Sequence, residues 1–127
     1  MRHSILAIIL WVVPVSSSAQ VPVDARFVLE TVASGAGAVC LEIDAAGVLY
    51  VCEKRGRLLR LVPNGSGGYA APVVVLDIRG EVDAGVEGGL LGLALAPDFA
   101  TSRQLYALFT TASDQRIERW TLDAART

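Results

Sequence analysis

The sequence contains one histidine, His3, one lysine, Lys54, and two cysteines, Cys40 and Cys52. His3 lies in an N-terminal segment that we expect to be removed, so the remaining chain would have no imidazole. This absence excludes Ser-His-Asp and Cys-His triads, histidine metal ligands and a histidine general base from anything that the chain does alone. The two cysteines lack the CxxC spacing, which excludes a thioredoxin-type redox motif.

The chain also lacks an excess of positive charge. Its formal net charge is −2 at pH 7, and the loss of Arg2 with the N-terminal segment would make it slightly more acidic. This balance argues against a surface that binds nucleic acid or an anionic membrane. The hydrophobic fraction of 53% favours a folded chain over a disordered one.

Residues 1–19 have the features of a secretory signal peptide. Arg2 and His3 precede an apolar stretch from Ile5 to Val15, and small residues follow up to Ala19, after which we expect cleavage. The apolar stretch is shorter than the roughly 20 residues of a membrane-spanning helix, which favours a cleaved signal over an anchor. We therefore expect a secreted or periplasmic protein whose folded part is residues 20–127.

The first strands are predicted from a hairpin signal. Residues 41–44 and 48–51 flank Ala45-Ala46-Gly47, which suits a three-residue loop closed by a left-handed glycine. In the resulting register, two apolar pairs lie on one face of the hairpin, and the Glu42–Tyr50 pair lies on the other face. The apolar pairs are Leu41–Val51 and Ile43–Leu49.

The same register places Cys40 opposite Cys52. A cross-strand disulfide is therefore one interpretation, although the pair falls at a hydrogen-bonded position, which is not the easiest geometry for a bridge. Two small buried thiols are the other interpretation. The sequence leaves both open.

The strand pattern repeats along the chain. Further strands over residues 57–62 and 72–78 complete a four-stranded antiparallel meander, and its motifs return with a drifting period of about 50 residues, which is typical of β-propeller blades. A seven-stranded β-sandwich would not require this repetition. The second unit ends with a third strand over residues 115–122, so we expect the chain to be the N-terminal piece of a longer propeller.

A glycine-rich run over residues 85–99, GVEGGLLGLALAPDF, carries one carboxylate, Glu87, into an apolar strand. Because no helix is predicted after the glycines, the run does not fit a dinucleotide-binding or P-loop motif. The acidic residues Asp77, Glu81, Asp83 and Glu87 lack the ligand spacing of a known calcium loop, which favours a solvated acidic loop. The basic residues around Lys54 are predicted to form a charged hairpin tip that protects a sheet edge.

The glycine-rich run resembles the segment "G-(E/Q)-x-G-L-L-G-(L/F)-A-x-x-P-D-F" of the glucose/sorbosone dehydrogenase-like family, the soluble pyrroloquinoline quinone (PQQ) sugar dehydrogenases. Four more segments resemble this family in the same order, namely residues 27–35, which are similar to its opening strand, and residues 49–57, 76–82 and 116–120. The resemblance implies an all-β fold, with about two blades of a six-bladed propeller in this chain. It also implies PQQ assisted by Ca²⁺, oxidation of a sugar C1 hydroxyl to a lactone, and an external electron acceptor.

Glu87 is the one site residue that the resemblance assigns here. It matches the Glu or Gln that precedes "G-L-L-G" and faces the cofactor pocket, where it could hydrogen-bond a quinone edge or a sugar hydroxyl. The alternative is a solvated carboxylate in a turn shaped by its glycines. The family's catalytic histidine, its calcium ligands and its other cofactor ligands lie in later blades, so no catalytic residue and no metal ligand is predicted in this chain.

The function predicted for the full-length protein is therefore that of an exported PQQ-dependent aldose dehydrogenase, whereas this chain alone is expected to be inactive. A non-catalytic extracellular binding propeller with the same blade motifs is the alternative, because a fold does not determine a function. A propeller-type lactone hydrolase is a third possibility and would need metal-binding carboxylates that converge on the axis.

Overall fold

The computed structural model describes residues 24–34 and 37–124. The predicted signal peptide lies outside these residues and stays a prediction. The chain divides into two units, of which the first, residues 1–30, is described only from residue 24. There Asp24 and Arg26 form an ion pair. Both sheets lie in the second unit, residues 31–127.

Two antiparallel sheets make up the second unit. The first has the order β1-β2-β3-β4, with strands at Ala38–Ile43, Leu49–Glu53, Arg57–Leu61 and Val73–Asp77. The second has the order β5-β6-β7, with strands at Leu90–Leu95, Gln104–Thr110 and Gln115–Thr121. The predicted all-β class and the repetition of the meander are confirmed, because β5, β6 and β7 carry the motifs that recur from β1, β2 and β3. The arrangement is consistent with part of a β-propeller.

The β1–β2 hairpin has the predicted register, with Cys40 opposite Cys52 and Glu42 opposite Tyr50. Gly47 closes its turn with φ +79°, a left-handed conformation that glycine adopts without steric cost. The Asp44 side chain also stabilises the turn, because its Oδ1 accepts hydrogen bonds from the amides of Ala46 and Val48 at 2.9 Å each.

The main hydrophobic core lies between the two sheets, where β5 packs next to β1 and β2. Tyr50, whose side chain is only 2% exposed, belongs to this core, whereas Leu41 on the other face is 57% exposed. The prediction that places the Leu41–Val51 and Ile43–Leu49 pairs on one apolar face is therefore right about the register, but that face does not form the main core. On that face, the second hydrophobic cluster consists of Leu49, Leu59 and Leu61. Leu41 and Ile43 do not belong to it, and they lie on β1, at the edge of the sheet.

Two local features differ from the sequence prediction. Residues 27–34, which resemble an opening strand in sequence, form no strand in the structure, because a strand needs a neighbour that takes up its backbone hydrogen bonds. A short helix, α1 at Phe99–Ser102, follows Pro97 and Asp98 and lies between β5 and β6, where the sequence predicted no helix. Within the described ranges, no helix has the length and hydrophobicity needed to cross a membrane.

Candidate functional site

The loop that connects β4 to β5, residues 78–89, carries Glu87 and lies against the turn between β2 and β3. The Ile78 amide donates a hydrogen bond to the Gly56 carbonyl at 2.9 Å, where the loop begins. The Leu90 amide donates to the Lys54 carbonyl at 2.9 Å, where β5 begins. The loop is thus attached at both ends to the first sheet.

The same loop is also attached to the second sheet. The Asp83 amide donates to the Thr110 carbonyl at 2.8 Å, and the Thr110 amide donates to the Gly89 carbonyl at 3.0 Å. Thr110 is the last residue of β6. The loop therefore bridges one end of the two sheets, and its backbone position depends on both.

Two glycines allow this close approach. A Cβ atom on Gly88 would lie 2.4 Å from the Asp83 carbonyl oxygen, and one on Gly89 would lie 2.7 Å from the Lys54 carbonyl oxygen. Gly89 also has φ +145°, a conformation that L side chains rarely adopt. The glycines that the sequence presents as a motif are needed because the backbone of the loop packs directly against other backbone.

Lys54 supports the exposed tip of the loop. Its Nζ donates a hydrogen bond to the Val86 carbonyl at 3.0 Å, while the Val86 side chain is 91% exposed. The Asp83 Oδ1 accepts a hydrogen bond from the Gly85 amide at 3.0 Å on the way to the tip. Sequence reasoning placed Lys54 in a charged hairpin tip but missed this contact, for which the sequence carries no local signal.

Glu87 lies at the exposed tip, just before β5. Its side chain makes no hydrogen bond or ion pair within the part of the chain that the structure describes, so its carboxylate is available to accept hydrogen bonds from a ligand. A solvated turn residue would have the same surroundings. The assignment of Glu87 to a cofactor therefore stays a prediction.

Beside this loop, basic side chains line a cleft of about 610 Å³, which we call the cationic cleft. Its charged residues are Glu53, Lys54, Arg55, Arg57 and Arg79, and it is completed by Gly37 and Ala84. The buried Glu53 carboxylate accepts a hydrogen bond from the Arg57 guanidinium. Arg79 was not predicted to lie here, because only the pairing of β3 with β4 brings it close to Arg57.

Arg79 pairs with Asp77 at the edge of the cationic cleft, with Nη2 and Oδ2 2.7 Å apart. Hydrogen bonds from the Arg79 guanidinium and amide lower the pKa of Asp77 to about 2. The same pairing raises the pKa of Arg79. Arg79 thus balances the charge of the Asp77 carboxylate, and Asp77 does not form a cluster with Glu81, Asp83 and Glu87.

The acidic residues of the loop do not form a metal site. Across residues 24–34 and 37–124, no three side chains of His, Cys, Asp or Glu come together as a group that could hold a metal ion.

A second cleft, of about 490 Å³, lies at the other end of β2. It is formed mainly by apolar and small residues, with Ile43–Ala46 on one side and Leu95–Ala100 on the other, apart from Asp98. Because the β1–β2 turn and the β2–β3 turn lie at opposite ends of β2, this cleft is separate from Glu87 and from the cationic cleft.

Residues 40–127 match the family described as Glucose / Sorbosone dehydrogenase. Among solved structures, the chain is similar to the PQQ-bound form of aldose sugar dehydrogenase from Streptomyces coelicolor, with 37% sequence identity and a TM-score of 0.66. The match covers 78% of this chain and 29% of that chain, so this chain spans less than a third of that protein's length. No curated protein matches.

Proposed function

Because this chain belongs to the glucose/sorbosone dehydrogenase family, we propose that it forms about two blades of an exported PQQ-dependent aldose dehydrogenase that oxidises a sugar C1 hydroxyl to a lactone. The identity of 37% with an aldose sugar dehydrogenase whose structure contains PQQ supports the cofactor and the substrate class. The paired, repeating sheets support the propeller.

The chemistry of Glu87 fits one part of such a site. An ionised carboxylate only accepts hydrogen bonds, so Glu87 suits a sugar hydroxyl or the pyrrole N–H of PQQ, and it does not suit a quinone oxygen, which has no proton to donate. When bound, PQQ supplies the quinone that accepts the hydride from the sugar. Ca²⁺ would need ligands from outside the residues described here, since these bring no metal-binding group together.

The observation that carries this proposal is the match of residues 40–127 to the family, and the attachment of the Glu87 loop to both sheets supports a role for Glu87 within it. The Lys54 carbonyl and Nζ hold the loop on one side, and Thr110 holds it on the other. A fixed loop keeps the backbone of Glu87 in position before a ligand arrives, so that only its side chain has to be ordered when it binds a sugar hydroxyl. Glu87 thus binds and orients, while the proton that leaves the sugar hydroxyl requires a base from elsewhere.

The test uses a gene product that includes this chain and reaches the length of the aldose sugar dehydrogenase that it matches. The purified protein is titrated with PQQ and Ca²⁺, and the reduction of a dye by a panel of aldoses is followed. We expect reduction that depends on PQQ. A protein that neither binds PQQ nor reduces the dye would contradict the proposal and favour a non-catalytic binding propeller.

The role of Glu87 is tested in the same protein. We expect Glu87→Ala to lower kcat/KM at least about tenfold, which corresponds to ~1.4 kcal/mol of transition-state stabilisation. Glu81→Ala is the matched control, because Glu81 is an exposed carboxylate of the same loop, and it should leave kcat/KM unchanged. Equal effects of the two variants would show that Glu87 is a solvated residue.

Export is tested separately. N-terminal sequencing of the protein recovered from the periplasm or the medium should give a chain that starts at Gln20. A chain that retains residues 1–19, or one found only inside the cell, would contradict the proposed signal peptide.

A further inference from the structure

Cys40 on β1 and Cys52 on β2 are directly opposite each other. The Asp44 amide donates to the Val48 carbonyl at 3.1 Å, which makes that pair hydrogen-bonded, and every second pair from there, including Cys40–Cys52, is of the same type. Such pairs have Cα atoms about 5.5 Å apart. Disulfides span Cα distances of about 4.4–6.8 Å, so the backbone is already at a suitable separation.

The two side chains also face each other. Both are free thiols in the structure, and the interaction between them lowers the pKa of Cys40 and raises that of Cys52. A register shift between Ala38 and Cys40 marks an irregularity in β1, and such irregularities let a strand adjust its local twist.

The two thiols differ in accessibility. Cys40 is half-buried, on an edge strand, whereas Cys52 is fully buried in the main core. An external reagent can therefore reach Cys40 first, and Cys52 can react only with a partner that is already beside it. This is the arrangement of an attacking thiol with a resolving thiol.

We propose that Cys40 and Cys52 form a disulfide bond that joins β1 to β2. The oxidant is a disulfide of a small molecule or a protein. The Cys40 thiolate attacks one of its sulfur atoms, the oxidant's S–S bond breaks, and the first thiolate leaves. The Cys52 thiolate then attacks the Cys40 sulfur and expels the second thiolate. The two cysteine protons pass to the two leaving thiolates, and the oxidant gains the two electrons that the cysteines lose.

The disulfide would lie close to the residues that support the Glu87 loop. The proposal of this bond does not depend on the proposed function. Lys54 follows Cys52 by two positions, and its amide donates to the Gly37 carbonyl at 3.0 Å, next to β1. The Lys54 carbonyl and Nζ then hold the loop. A covalent link between β1 and β2 therefore holds together the two strands that position Lys54.

The experiment measures the equilibrium of the full chain with reduced and oxidised glutathione, both under native conditions and in denaturant. Free thiols are alkylated, and the mass of the chain is determined. Cleavage after glutamate should give peptides 31–42 and 43–53 joined by one disulfide. We expect the equilibrium constant for oxidation to be at least tenfold larger under native conditions, because a bond that fits the folded strands stabilises them by the same factor.

Cys52→Ser is the matched variant, in which we expect Cys40 to stop at a mixed disulfide with glutathione. The mass measurement on the unmodified chain does not depend on the folding of this variant. A stable mixed disulfide at Cys40 in the unmodified chain, with Cys52 still free, would overturn the proposal. A native equilibrium constant equal to or smaller than the denatured one would also overturn it.

Discussion

Tyr50 of β2 and Phe99 of α1 meet edge to face, with ring centroids 5.2 Å apart and ring planes at 79°. Edge-to-face contacts of this kind are favourable because the positive edge of one ring meets the negative face of the other. Both side chains are buried in the core between the sheets. The helix that the sequence did not reveal is therefore the element by which the connection from β5 to β6 packs against the first sheet.

Phe99→Ala should destabilise the protein by about 3–5 kcal/mol, because it removes a buried aromatic ring and leaves a cavity beside Tyr50. Denaturant unfolding measures this change. Ile117→Thr is the control, since Ile117 is 72% exposed, and we expect a change within about 0.5 kcal/mol. A loss of less than ~1 kcal/mol for Phe99→Ala would contradict the contact between helix and sheet.

Gly88→Ala should cost about 1–3 kcal/mol, because its Cβ atom would lie 2.4 Å from the Asp83 carbonyl oxygen and the loop would have to shift. The free energy of unfolding is the measurement. Gly80→Ala in the same loop is the matched control, because a Cβ atom there would meet nothing within 4 Å. Similar values for the two variants would contradict the close packing of the loop.

Lys54→Ala should loosen the tip of the Glu87 loop with little effect on global stability. The hydrogen bond from Nζ to the Val86 carbonyl is exposed, so we expect a loss below ~1 kcal/mol. Amide hydrogen exchange at residues 85–88 should become faster, while exchange in β2 and β6 stays unchanged. Arg55→Ala removes a neighbouring exposed cation as a control, and it should leave loop exchange unaltered.

The Asp77–Arg79 pair predicts a specific titration. The carboxyl of Asp77 should titrate with a midpoint near 2, as followed by its NMR chemical shift. Because this folded-state pKa lies below the ordinary value of about 3.9, the stabilising effect of the pair is fully present above pH ~4. It is lost as the pH falls towards 2. Arg79→Ala should return the midpoint towards 3.9, whereas Arg55→Ala should not move it.

The β1–β2 hairpin was predictable from sequence because its register is set locally. Gly47 closes the turn, and the position of the turn determines which residues oppose each other, Cys40 and Cys52 included. The repetition of β1–β3 in β5–β7 was predictable for a similar reason, since short motifs mark each strand. Whether Tyr50 or Leu41 faces the main core could not be read from these signals, because that choice depends on where the second sheet packs.

The candidate site was only partly predictable. The glycine-rich run gave the loop and Glu87, because glycines and a carboxylate before an apolar strand are visible in the sequence. The contacts from Lys54 and Thr110 were not visible, since they depend on residues that come together only after both sheets have formed. The position of Arg79 beside Arg57 likewise depends on the pairing of β3 with β4.

The attachment of the Glu87 loop to both sheets has a consequence for the order of folding. Lys54 and Val86 are 32 positions apart, whereas the hairpin strands are neighbours in sequence and close small loops. Contacts between distant residues form late, because the chain between them must first be ordered. The loop that carries Glu87 should therefore reach its final position among the last events of folding, after the two sheets have packed together.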